Sequence, residues 1–281
     1  MSIIDDIKSR YIKGNIVEKL IYINIALFFS SYIFQLFQGS SNQLNWLVEW
    51  FSLDDDFSTL LKKPWSIISY GFLHADFLHI LMNLLVLYYI GNLFLEYFTQ
   101  KQLLSFYILG TLFGGVLYIF SQNYFPLFEG KSSLLVGASA GISAIFIGIT
   151  TYIPNYQLKL RFIGFVKLWH LAAIWIGLDV IGLVGANAGG NFAHLGGALF
   201  GFLYVNKASN KDIKLIDKIT SIFKTKKKSP LKTVHKSKVK KKTSTNLNQQ
   251  QIDDILDKIS KSGYDTLNKA EKEFLFKQGK K

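Results

Sequence analysis

Asn191-Phe-Ala-His194-Leu-Gly-Gly197-Ala-Leu-Phe-Gly201 is an apolar stretch interrupted by a single imidazole. Read as a helix, its spacing of three and four puts His194, Gly197 and Gly201 on one stripe. Gly197-x-x-x-Gly201 is a face that lets a second helix approach closely. Two other apolar stretches carry the same mixture of polar and small residues. One reads His74-Ala-Asp-Phe-Leu-His79-Ile-Leu-Met-Asn83, with His79 and Asn83 four apart on one helix face. The other reads Gly137-Ala-Ser139-Ala-Gly141-Ile-Ser143-Ala, a serine set among small residues.

Outward from these stretches the chain is apolar enough to live in lipid. A hydrocarbon core of roughly 30 Å needs about 20 mainly apolar helical residues. Six stretches meet or approach that length, at 20–37, 77–98, 103–121, 134–153, 168–184 and 191–205. The last two are short and rich in glycine and alanine, which reads as interior helices packed by others. The expected fold class is therefore all-α, a polytopic membrane protein with a six-helix bundle and a cytoplasmic basic tail. Composition agrees: of 281 residues 49% are hydrophobic, and mean hydropathy is +0.23 despite a formal charge of +13. A strongly basic soluble chain would average negative. Residues 207–281 hold 21 of the 32 basic and 8 of the 19 acidic residues, so the net charge sits there. Residues 1–206 are neutral, with 11 of each sign. The absence of cysteine excludes a disulfide framework, a thiolate zinc site and a cysteine nucleophile.

Lys and Arg in the short loops set the orientation. Lys8, Arg10, Lys13, Lys19, Lys101, Lys159, Arg161 and Lys167 fall on one side, against Lys62, Lys63 and Lys131 on the other. This puts both termini in the cytoplasm and connection 38–76 outside. Trp46, Trp50 and Trp65 in that connection suit a segment lying at the outer interface. Asp5 and Asp6 precede the basic residues, and the first apolar run is long and lacks a small-residue cleavage site, unlike a signal peptide.

Polar side chains inside lipid are costly, so those in the apolar segments carry the information. Each has a bland reading. A membrane serine commonly bonds back to its own helix, a glycine stripe packs helices, and one histidine can be a buried hydrogen-bonding group. Three histidines and an asparagine beside small-residue stripes fit one chemistry together. A serine hydroxyl attacks once a histidine takes its proton, and the developing oxyanion is met by an amide and a second imidazole.

In order and position these motifs resemble those of the rhomboid family of intramembrane serine proteases. The match covers about residues 20–205: Trp65 nine residues before His74, then His79 and Asn83 in the second helix, Gly137-x-Ser139 in the fourth, and Ala193-His194-x-x-Gly197-x-x-x-Gly201 in the sixth. The stretch 187–201 looks like the bacterial members. The resemblance implies a Ser139–His194 dyad with no acidic third member and an oxyanion hole of Asn83, His79 and the Ser139 N–H. His74, Gly137, Gly197 and Gly201 would be supporting residues, with His194 oriented by packing on the glycine stripe. It further implies a multi-pass protein of the cell (inner) membrane, transmembrane substrates, and no cofactor or metal. Asp179, an acid within the fifth segment, reads as a structural hydrogen-bonding group, a catalytic role being the alternative. Three positions depart from the family: Ser66 replaces the usual arginine, Ala140 a glycine, and Ser143 the aromatic ring that often stacks on the histidine. Ser143 is also the alternative nucleophile.

The expected division is a cytoplasmic N-terminus at 1–19, the membrane domain at 20–206, a lysine-rich flexible linker at 207–251 and a small helical hairpin at 252–281. Ten lysines in residues 224–242 read as a solvated spacer or as an attraction to anionic lipid. Without interleaved aromatics they give no reason to expect nucleic acid. Apolar positions 252, 255, 256 and 259 mark an amphipathic helix stopped by Gly263, and Thr266 reads as the N-cap of the next. The hairpin resembles one that ends many rhomboid-like proteins of Bacteroidetes-type bacteria. Two alternatives remain: an inactive rhomboid-like protein that binds membrane helices, and a metal permease using His74, His79, His170 and His194.

Overall fold

The structure, a computed structural model, describes residues 3–38, 45–130, 132–161, 164–208 and 244–278. Two compact units divide the chain, at 1–224 and 225–281. The lysine-rich stretch 224–242 lies outside the described residues.

The first unit is built from helices α1 (Ile3–Lys13), α2 (Ile16–Gln38), α3 (Trp46–Phe51), α4 (Phe57–Lys62), α5 (Ser66–Ser69), α6 (Phe77–Tyr97), α7 (Gln100–Tyr124), α8 (Ser139–Tyr152), α9 (Leu168–Gly182) and α10 (Ala188–Ala208). Strand β1 (Leu53–Asp54) pairs antiparallel with β2 (Leu134–Leu135), and β3 (Gln157–Leu160) with β4 (Gly164–Lys167). By length and composition α2, α6 and α7 can each cross a membrane. The three remaining apolar stretches are helical as well, but α8 and α9 have only 14 and 15 residues. A 14-residue helix is about 21 Å long and cannot reach both faces of a ~30 Å core.

The reason α8 is short is local. The apolar run that reads as one helix from 134 begins as strand β2, which pairs with β1 in the 45–72 connection. Gly137 then turns the chain at φ 133, and the helix starts at Ser139. The approach is tied down on both sides. Asp55 accepts the Ser133 N–H at 2.7 Å, and the Tyr118 hydroxyl donates to the Ser133 carbonyl at 2.8 Å. Burial raises the Asp55 pKa above the usual carboxylate value, and the Ser133 N–H works against that rise.

Packing separates the last two helices. α10 is interior as its small residues predict: a Cβ at Gly196 would stand 2.7 Å from the Phe113 carbonyl oxygen. Contrary to expectation, α9 is peripheral, with Ile174, Leu178, Val180 and Ile181 exposed. In the middle of α9, Gly177 has open space beside it, and close approach comes only at its end, where Gly182 meets the Asn191 side chain. The main core is aromatic and aliphatic, with Leu87, Phe94, Phe106, Tyr107, Ile142 and Ile145 nearly fully buried. Buried hydroxyls are tied to backbone, Tyr107 donating to the Gly71 carbonyl and Tyr70, in a second cluster, to that of Thr111, both at 2.7 Å.

In the 45–72 connection the Trp50 and Trp65 rings stack 6.2 Å apart, and Lys63 stands 5.1 Å over Trp50. Ser66 is buried and its N–H donates to the Lys63 carbonyl.

The second unit holds α11 (Ser244–Ser262) and α12 (Lys269–Gln278), joined through Gly263 at φ 81. The cap of α12 corrects the expectation from sequence. Asn268, not Thr266, caps it: Asn268 Oδ1 accepts the Glu271 N–H at 2.9 Å and Glu271 Oε2 accepts the Asn268 N–H at 2.8 Å. Thr266 ends a 3₁₀ turn and donates to the Gly263 carbonyl.

Candidate active site

Ser139 is the first residue of α8, and no side chain caps that end. The first N–H groups of a helix have no intrahelical acceptor and point outward as donors. Gly137 is required just before it. Its φ of 133 disfavours any side chain, and a Cβ there would stand 2.8 Å from His79 Nε2 and 3.4 Å from Ser139 Oγ. An imidazole, a backbone turn and a hydroxyl therefore share one small space. The Gly137 N–H donates to the Tyr70 carbonyl at 3.0 Å, which fixes the turn.

His194 reaches this point from α10. Its Nε2 lies 2.6 Å from Ser139 Oγ and its Nδ1 lies 2.7 Å from Asp179 Oδ1 on α9. The glycine stripe explains how α10 comes so near. Gly197 rests on the Ala140 carbonyl oxygen and Gly201 on that of Ala144, both closer than any Cβ would permit. Ala140 follows Ser139 and Gly197 lies one turn after His194, so this backbone contact sets the separation of hydroxyl and imidazole. A carboxylate oxygen accepts, so the Nδ1–Oδ1 contact suits a ring tautomer with its proton on Nδ1. In that tautomer Nε2 is the acceptor facing the Ser139 hydroxyl.

On α6, Asp76 caps the helix by accepting the His79 N–H at 2.8 Å, and Asn83 is buried one turn on. The Asn83 amide donates to the His79 carbonyl at 3.0 Å, leaving its second N–H unengaged by that bond. His74 packs edge-on against the His79 ring, 5.1 Å between centroids, and neither of its ring nitrogens meets a partner among the described residues. A cavity of about 870 Å³ adjoins the site through His79 and Val136, bounded elsewhere by Gln122, Ser133 and Asn187. Ser139 and His194 do not line it.

Ser143 and the histidine do not meet. Ser143 is fully buried and its Oγ accepts the Trp175 Nε1–H at 3.1 Å. Trp175 also stands beside the imidazole, 6.5 Å between centroids and tilted 38°. The expectation that His194 is oriented by the glycine stripe alone needs correction. The glycines engage the α8 backbone, while the free ring nitrogen is held by Asp179. One signal pointed there: an acid in an apolar helix needs a hydrogen-bond donor, and the membrane segments contain few. Trp175, four residues earlier on the same face, carried no comparable signal. His170 packs on the neighbouring Trp169 ring, and among the described residues no three His, Asp or Glu side chains gather as a metal site.

Residues 61–211 match the Rhomboid domain, and residues 240–281 match a family of unknown function (DUF6576). Similar proteins include "Presenilin-associated rhomboid-like protein A, mitochondrial" of Danio rerio, 33% identical over 139 residues, 48% of this chain and 35% of that protein. "RHOMBOID-like protein 12, mitochondrial" of Arabidopsis thaliana is 29% identical over 144 residues, 47% of this chain and 43% of that protein. "Rhomboid protease GlpG" of Yersinia pseudotuberculosis is 27% identical over 188 residues, 64% of this chain and 59% of that protein. The matches thus span between 35% and 59% of these relatives' lengths. The Rhomboid match covers more than half of the chain, which belongs to the rhomboid family and is a multi-pass membrane protein.

Proposed function

We infer that this chain is an intramembrane serine endopeptidase that cleaves transmembrane segments, with Ser139 as nucleophile and His194 as general base. The observation that carries this reading is the 2.6 Å contact between Ser139 Oγ and His194 Nε2 at the uncapped start of α8. One relative, named a rhomboid protease, supports it.

In the acylation step Oγ attacks the scissile carbonyl carbon while its proton moves to Nε2. The carbonyl oxygen becomes an oxyanion beside the Ser139 N–H, the Asn83 amide and His79. The tetrahedral species collapses, the C–N bond breaks, and His194 returns the proton to the leaving amine. Water then hydrolyses the ester by the same route, and the adjoining cavity is its source. Gly137, Gly197 and Gly201 hold the parts in register, and His74 supports His79. This chemistry calls on no cofactor or metal.

The wider assignments belong to the same reading: a six-helix bundle seated in the membrane, both termini cytoplasmic in an inner membrane, and residues 224–242 attracted to anionic lipid. The substrate is a membrane helix that unwinds near the outer face, because an intact helix hides its carbonyls in its own hydrogen bonds. Cleavage of a model transmembrane substrate by purified protein, with a chelator present, tests the proposal. Wild type should cut and Ser139→Ala should not; equal turnover by both would remove Ser139 from the chemistry. Binding of such helices without cleavage by wild type would favour an inactive membrane-helix binder.

A further inference from the structure

An ionised carboxylate removed from water is costly unless paired and hydrogen-bonded. Asp179 is only 6% exposed, and among the described residues its ion-pair partner is His194. Its Oδ1 faces Nδ1 at 2.7 Å, and its Oδ2 has no hydrogen-bond partner among the described residues. Among the described residues no Lys or Arg pairs with this acid, and its bonding is directed at the imidazole.

The helix that delivers it is set against the nucleophile's helix at two points. Trp175 and Asp179 are four apart on α9, and Ser139 and Ser143 are four apart on α8. Trp175 Nε1–H bonds Ser143 at 3.1 Å, while Asp179 reaches Ser139 through the histidine between them. Much of the rest of α9 is exposed aliphatic surface. Residues equivalent by spacing on two neighbouring helices thus hold both nitrogens of one ring.

The geometry points to Asp179 as a positioning residue that completes a Ser139–His194–Asp179 relay, a step beyond the two-residue machinery on which this inference rests. It keeps one proton on Nδ1, so the Nε2 lone pair is always the one presented to Ser139. When Nε2 takes the hydroxyl proton, the imidazolium faces a carboxylate in a place where an unpaired cation is costly. No proton passes to Asp179: the proton taken from Oγ goes to the leaving amine, and the Nδ1 proton stays on the ring. The other titratable group near the reacting atoms, His79 on α6, lies on the Gly137 side and leaves Nδ1 to the acid.

The test compares the full-length protein with Asp179→Asn, Asp179→Glu and Ser139→Ala, reading transmembrane-substrate cleavage and the labelling rate by a fluorophosphonate. Asp179→Asn should lower kcat at least about 10²-fold with KM nearly unchanged, against about 10⁴-fold for the same change in soluble Ser-His-Asp proteases. The acid limb of kcat/KM should move to lower pH, because losing the carboxylate disfavours the imidazolium. Asp179→Glu should recover at least tenfold over the Asn variant. Asp179→Asn within threefold of wild type, or a loss of rate with an unmoved acid limb, would overturn the proposal. Should the Asn variant fail to fold, ¹⁵N-histidine spectra of the wild type decide: His194 protonated on Nδ1 is expected, and a resting Nε2–H form refutes it. A wild type that neither cleaves nor labels would overturn the serine-protease reading and this inference together. A labelled wild type matched by the Asn variant overturns this inference alone.

Discussion

Gly197→Ala adds one methyl group where α10 meets α8. The new Cβ would fall 2.8 Å from the Ala140 carbonyl carbon and nearer still to its oxygen. Both are backbone atoms, so no side-chain rotation relieves the clash and the helices must separate by about 1 Å, an overpacking that costs about 1–3 kcal/mol. The catalytic consequence is larger than the stability loss suggests. His194 sits one turn before the new methyl and Ser139 directly before Ala140, so the shift adds to a 2.6 Å contact and takes it to the edge of hydrogen-bond range. A misplacement of about 1 Å between reacting groups costs about 10²-fold in rate. Steady-state cleavage and thermal unfolding in detergent measure both effects. Gly177→Ala is the control: a Cβ there meets nothing within 4 Å, so activity should hold and stability should rise by about 0.5–1 kcal/mol. Wild-type kcat in Gly197→Ala, or equal losses at both glycines, would refute the reasoning.

Other outcomes follow from the same geometry. Asn83→Ala should lower kcat by about 10²–10³-fold with little change in KM, as loss of an oxyanion donor does; a change under threefold would make Asn83 structural. Gly137→Ala forces a side chain to φ 133 and a methyl against His79, so it should lower both the unfolding temperature and the labelling rate of Ser139. In the hairpin, the Lys258 hydrogen bond holds the Glu271 pKa below its ordinary 4.5. A lowered acid stabilises the fold above its unfolded value, and that support is lost as pH falls. Amide protection over 269–278, corrected for intrinsic exchange, should therefore weaken as pH falls through 4.5 and below, and Glu271→Gln should flatten the change.

The helices of this fold were legible because their apolar runs are long, and the site's outline because polar residues in lipid are few. What escaped is pairing between distant segments. Residues 134–136 look helical by composition, and only the partner strand at 53–54, some eighty residues earlier, makes them extended. The β3–β4 hairpin stood in sequence as a basic loop for the same reason. The exposed face of α9 could not be read from periodicity, since a helix apolar all round shows no preferred side and its lipid face resembles its packed face. Ser139 and His194 were readable as residue types with a joint chemistry. That Asp179 turns toward His194 depends on the rotation of α9, which Trp175 and Ser143 help fix through a contact 32 residues apart.

The central claim is that Ser139 is the activated hydroxyl of this protein. Treating the purified protein with a fluorophosphonate and mapping the adduct by mass spectrometry tests it most directly. The account predicts one modified residue, Ser139, with labelling abolished in His194→Ala. An adduct on Ser143, or labelling of Ser139 at an unchanged rate without His194, would contradict it.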